Sequence, residues 1–93
     1  MSDIINEAVT QLSAKIGTFD GSVKFVIPGE GSIMVDEAGV REGDEDAACT
    51  MTAEADTFKG ILDGDVNATS AFMSGQLKVD GDMGQAMKLG AQL

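Results

Sequence analysis

Histidine, tryptophan and tyrosine are absent from this 93-residue chain, which has one cysteine, one proline and four aromatic side chains, all phenylalanine. Without imidazole there is no Ser-His or Cys-His pair, no histidine metal site and none of the commonest acid–base group at neutral pH. A single cysteine forms no internal disulfide, so Cys49, in an alternating segment, is expected to be a small buried hydrophobe. Basic residues are scarce: six stand against sixteen acidic ones, for a formal charge of −10. Such a surface repels polyphosphates, and no Trp or Tyr is present to stack on bases, which argues against nucleic acid as a partner and against strong attachment to anionic membranes. No apolar run approaches the roughly 18 residues that span a bilayer, and Met1-Ser2-Asp3 is not the basic, apolar start of a secretory signal. The expectation is a soluble, cytoplasmic protein with at most transient membrane contact.

Within those limits, 43% hydrophobic residues in 93 are enough for one modest core, and residues 1–93 are read as a single domain. Asp3 or Ser2 caps a first helix, in which Ile5, Val9, Leu12 and Ile16 form one apolar stripe that ends at Gly17. The stripe must cover something flat, and a sheet follows. After a turn at Phe19-Asp20-Gly21, Val23, Phe25 and Ile27 alternate with Ser22, Lys24 and Val26 up to Pro28. Reversals at residues 28–31 and 37–39 lead to strands at residues 32–36 and 40–42, an antiparallel meander. Residues 47–53 alternate Cys49 and Met51 against threonines as a fourth strand, and Asp56 caps a helix bearing Phe58, Ile61 and Leu62.

Three loops imitate ligand motifs. Gly29-Glu30-Gly31 lacks the third glycine and the following helix of a dinucleotide loop. The Glu42–Asp46 run, four carboxylates in five residues, has no calcium-ligand spacing and reads as a solvated loop. Asp63-Gly64-Asp65-Val66-Asn67 opens like an EF-hand, but Ala68 replaces the required glycine and Ser74 the closing glutamate. No metal or cofactor is expected. The Ala91-Gln92-Leu93 end lacks the central basic residue of the peroxisomal Ser-Lys-Leu address.

The last third organises the chain. Residues 66–74 read as a short helix carrying Phe72 and Met73, Gly75 marks a reversal, and residues 76–80 alternate as a half-buried strand. Asp82 then caps a final helix whose Met83, Ala86, Met87 and Gly90 fall at i, i+3, i+4 and i+7. Ser70-Ala71-Phe72, Gly75, Leu77-Lys78, Gly81, Met83-Gly84 and Ala86-Met87-Lys88-Leu89, with Cys49-Thr50, Thr52, Phe58, Ile61-Leu62 and Gly64 upstream, resemble the type 2 sterol carrier protein family of small lipid-binding domains. The resemblance is specific from about Cys49 to Leu89.

It implies an α+β fold, a single mostly antiparallel five-stranded sheet with one parallel pairing, helices packed on one face, and an apolar tunnel that holds a lipid. The residues themselves add five internal methionines, Met34, Met51, Met73, Met83 and Met87, side chains that reshape around variable apolar partners. The expected cavity is bounded by Met83, Ala86 and Met87 on one side and by Phe58, Leu62, Phe72, Met73 and Leu77 on the other, with Phe25 and Met51 on the sheet. Lys88, or Lys78, is expected to meet a ligand carboxylate. The function read from this is non-catalytic binding or carriage of a fatty acid, sterol or acyl-CoA, with acyl-CoA disfavoured by the net charge. The alternative is an accessory, protein-interaction domain of the same fold that has lost its cavity. An enzyme is not expected, because no activating base accompanies Cys49 or the carboxylates.

Overall fold

The computed structural model describes residues 3–92; Ser2, the alternative cap of the first helix, and Leu93 lie outside the described residues. The elements run α1 (Asp3–Lys15), β1 (Ser22–Ile27), β2 (Gly31–Asp36), β3 (Gly39–Glu42), β4 (Cys49–Ala53), α2 (Ala55–Asp63), α3 (Ala68–Ser74), β5 (Leu77–Gly81) and α4 (Met83–Gly90). They form an α+β domain with the five strands in the order β3-β2-β1-β4-β5. β1 and β4 are parallel, while the other three pairings are antiparallel.

Strand periodicity decides which face the helices cover. Val23, Phe25 and Ile27 of β1 lie beside Val35 and Ile33 of β2 and beside Cys49 and Met51 of β4, and all of these are buried. Ile5, Ala8 and Leu12 of α1, Phe58, Ile61 and Leu62 of α2, Ala71 of α3, and Ala86 and Leu89 of α4 pack onto that face in one apolar cluster. The Phe25 and Phe58 rings meet at 5.1 Å between centroids, tilted by 48°, and join sheet to helix layer.

The opposite face is polar, and the acidic segment after β3 crosses it. Asp44 accepts from Lys24 Nζ at 2.9 Å and Glu45 from Arg41 Nη2 at 3.3 Å, so this segment is anchored where the sequence suggested only a solvated loop. Arg41 also grips Asp36 through two bonds, at 2.9 and 3.0 Å. That grip holds the Asp36 carboxyl below the usual carboxylate range, against the opposing effect of burial.

Several expectations shift at this level. α3 starts at Ala68 rather than Val66, because the Asn67 side chain accepts from the N–H groups of Thr69 and Ser70 and caps the helix there. α2 starts at Ala55, after Glu54 and without a side-chain cap, so Asp56 lies in the first turn instead of capping it. Phe19, read as part of a turn, is 1% exposed and belongs to the core. The supposed adaptable methionine core is not assembled: Met51 joins the core cluster, Met34 is buried on the opposite sheet face, and Met73, Met83 and Met87 are exposed.

α4 is also rotated relative to its expected face. Gln85 Oε1 accepts from the Ser22 N–H at 2.9 Å, and Lys88 Nζ donates to Asp20 O at 3.1 Å while lying 5.4 Å from the Phe19 ring centroid. These tethers to the 20–22 turn direct Ala86 and Leu89 at the sheet and Met83 and Met87 away from it.

Candidate functional site

The eleven residues singled out from the sequence separate into three environments. Phe25, Met51, Phe58, Leu62, Leu77 and Ala86 are buried together in the core cluster. Phe72, Met73, Met83 and Met87 are exposed at 40%, 80%, 41% and 73%. Lys88 is held by Asp20. Lys78 pairs with Thr52 across the sheet and alternates with the buried Leu77, so it lies on the sheet face opposite the helices.

A cleft of about 400 Å³ opens beside this core, lined by Ile61, residues 64–69, Gly90 and Ala91. None of the eleven lines it. Its back wall is the end of α2, where Gly64 takes a left-handed C-cap conformation and the Asp65 and Val66 N–H groups return to Gly60 O at 2.9 and 3.0 Å. Gly60 is what lets the chain fold back so closely: a Cβ there would lie 2.6 Å from Val66 Cγ2. The Asn67 cap then launches α3, and the last turn of α4 closes the far side.

Ile61, Val66, Ala68 and Ala91 contribute apolar groups to a lining whose exposed surface is more polar than apolar, with Asn67 and Thr69 supplying neutral polar groups and Asp65 the one charge. Ile61 is the hinge between cleft and core: it lines the opening and is 6% exposed within the cluster that contains Phe58 and Leu62. A second, smaller space of about 20 Å³ lies between α1 and α2 against Phe58 and Leu62, room for about one water. Sequence reasoning missed the cleft because its lining comes from a connection and from two helix ends. The usable signal was Gly60 inside a helix followed by the bulky Val66, a pairing that marks close backbone return.

Reactive chemistry is not favoured at the remaining candidate. Cys49 is fully buried, and its thiol is pushed up by burial, then by the charges of Asp82 and Asp80, so the thiolate is suppressed. No described helix is long and apolar enough to cross a membrane.

A profile of the SCP-2 sterol transfer family matches residues 5–93, and the chain belongs to that family. Human (Homo sapiens) sterol carrier protein 2 is 39% identical over 61 residues, covering 66% of this chain and 10% of that protein. The chain spans about a tenth to a fifth of the length of the curated relatives it matches. Among solved structures, sterol carrier protein 2 like 2 from Aedes aegypti superimposes with a TM-score of 0.76 at 17% identity, covering 97% of this chain and 96% of that one. Aedes aegypti sterol carrier protein 2, solved in complex with the C16 fatty acid palmitate, gives 0.75 at 20% identity over 98% and 94%. At these identities the structural likeness establishes the fold.

Proposed function

We propose that this member of the SCP-2 sterol transfer family binds one lipid without converting it, with the head group in the cleft between α2, α3 and α4 and the chain directed past Ile61 into the core. The observation that carries the reading is Ile61 itself, which joins a polar-rimmed opening of about 400 Å³ to the buried cluster of Phe58, Leu62, Leu77 and Ala86. Ligand clefts fall at roughly 300–1,000 Å³, apolar with a few polar groups that fix orientation. An inserted chain has to part the buried cluster of Phe58, Leu62, Phe25, Met51, Leu77 and Ala86, none of which is more than 6% exposed. Each buried methylene contributes about 0.8 kcal/mol, which is the source of affinity for any lipid of the class. The palmitate complex of a protein with this fold supports the reading.

The head group sets the preference. Asp65 is the one charged residue at the cleft, and Lys88 is engaged by Asp20. A fatty-acid carboxylate or the phosphates of acyl-CoA would approach that carboxylate without a cation to meet them. A hydroxyl, as in a sterol or fatty alcohol, needs only the neutral acceptors and donors of Asn67 and Thr69. Carriage then rests on reversible binding alone.

Displacement of a fluorescent lipid by chain-matched fatty alcohol, fatty acid and acyl-CoA tests this. Affinity is expected to fall in that order, and Asp65→Asn is expected to narrow the gap between alcohol and acid. Tighter binding of the acid than the alcohol at neutral pH would overturn the head-group assignment. If none of the three displaced the probe and native mass spectrometry of protein from its own host showed no co-purifying lipid, the binding reading itself would fail.

A further inference from the structure

Charge in this chain is divided sharply along its length. Residues 66–93 contain two acidic and two basic side chains, Asp80, Asp82, Lys78 and Lys88, so the whole formal charge of −10 resides in residues 1–65. α3 has no charged residue, and α4 has only Lys88, which is engaged by Asp20. Those same two helices carry all four large apolar side chains that are exposed among the described residues: Phe72, Met73, Met83 and Met87.

Helical spacing connects these side chains to the cleft. Phe72 and Met73 stand three and four residues beyond Thr69, and Met87 stands three and four before Gly90 and Ala91, all three of which line the opening. Residues at i+3 and i+4 share a helix face, one turn apart. Met83 extends the α4 row by another turn. Two apolar rows therefore lead away from the cleft, one along each of the helices that form its sides.

We propose that this neutral, apolar surface of α3 and α4 docks on a zwitterionic lipid bilayer, with the cleft and its one carboxylate, Asp65, facing the membrane. The proposal rests on the lipid-binding reading above for the identity of the cleft, and it adds the partner from which the lipid is taken. Area and charge favour a bilayer over a second copy of the chain. Taking about 200 Å² for a fully exposed aromatic and a similar figure for methionine, the four side chains expose roughly 450 Å², little more than half of the ~800 Å² per partner of a standard protein interface. A bilayer needs no complementary surface, and unbranched methionines conform to disordered acyl chains. A leaflet without net charge also exerts no long-range repulsion on a chain of charge −10.

Co-flotation with vesicles tests it. Wild-type protein should float with pure phosphatidylcholine vesicles. Replacing one lipid in four by phosphatidylglycerol should weaken binding several-fold at roughly 10 mM salt, where the Debye length is about 30 Å, and hardly at all at about 150 mM, where it is about 8 Å. Because Met73 and Met87 are 80% and 73% exposed, Met73→Glu/Met87→Glu should keep the wild-type melting temperature and lose vesicle binding at least tenfold. Absence of wild-type flotation on phosphatidylcholine would overturn the proposal. So would a double variant that floats as well as wild type, or a wild-type dimer in sedimentation that the substitutions dissolve, since that would give the surface to a second copy. Lipid displacement by wild-type protein in vesicle-free solution separates the two readings: displacement without flotation removes only the docking surface, and flotation without displacement removes only the lipid cleft.

Discussion

Filling the cleft from α4 separates lipid binding from folding more cleanly than any core substitution. Gly90 lines the opening, lies in a helix, and a Cβ added to it would meet no heavy atom within 4 Å. The Cβ of Gly90→Leu therefore enters open space, and exchange of glycine for leucine in a helix is favourable by up to about 0.8 kcal/mol, less at a terminal turn. The new side chain occupies space assigned to the head group, so the bound lipid is displaced outward by about the length of three or four methylenes. At about 0.8 kcal/mol per methylene that costs about 3 kcal/mol of binding, or about a hundredfold in Kd. Displacement of a fluorescent lipid by a fatty alcohol reads the affinity, and thermal unfolding reads the stability. The expected result is an unchanged or raised Tm with about a hundredfold weaker binding, while Gly90→Ala, which adds one carbon, stays within a few-fold of wild type. Unchanged affinity in Gly90→Leu would show that the lipid does not pass through this cleft. Equal losses of affinity and Tm would show that the end of α4 is packed more tightly than its open surroundings indicate.

Gly60→Ala sets helix propensity against the close return of Val66. The 2.6 Å approach to Val66 Cγ2 is expected to outweigh a gain of about 1 kcal/mol and leave the protein about 1 kcal/mol less stable, with Val66→Ala relieving the loss in a double-mutant cycle read by urea unfolding. Asp36 should tie stability to acid pH: its folded pKa is depressed by Arg41, so its contribution is complete above the unfolded value of about 3.9 and vanishes as pH falls through the lower folded value. Asp36→Asn is accordingly expected to be less stable than wild type near neutrality and to converge with it below about pH 4 in pH-dependent melting; a constant gap would refute the ion-pair origin. Cys49, buried and shifted away from the thiolate, should react with a thiol reagent only at the rate of unfolding, and rapid labelling of native protein would contradict its placement in the core.

The sequence alone determined those features that depend on local periodicity. The two-residue alternation in Val23-Phe25-Ile27 and Cys49-Met51 identified the buried sheet face, and the glycines and caps at Gly64, Gly75 and Asp82 delimited the helices, because strand and helix repeats are properties of neighbouring residues. With the motif residues between Cys49 and Leu89 they identified the family, and so implied one parallel pairing, which the structure assigns to β1 and β4. Tertiary structure decided the rotation of each helix about its axis and the position of the opening. Met83, Ala86, Met87 and Gly90 have the spacing of an apolar face, but the hydrogen bond from the Ser22 N–H to Gln85 and that from Lys88 to Asp20 turn Leu89 inward beside Ala86 and leave Met83 and Met87 exposed. These bonds join residues more than sixty positions apart, which no local period encodes. The cleft likewise exists only where the ends of α2 and α4 and the start of α3 converge, so its lining is dispersed along the chain and acquires meaning only once the sheet has brought those ends together.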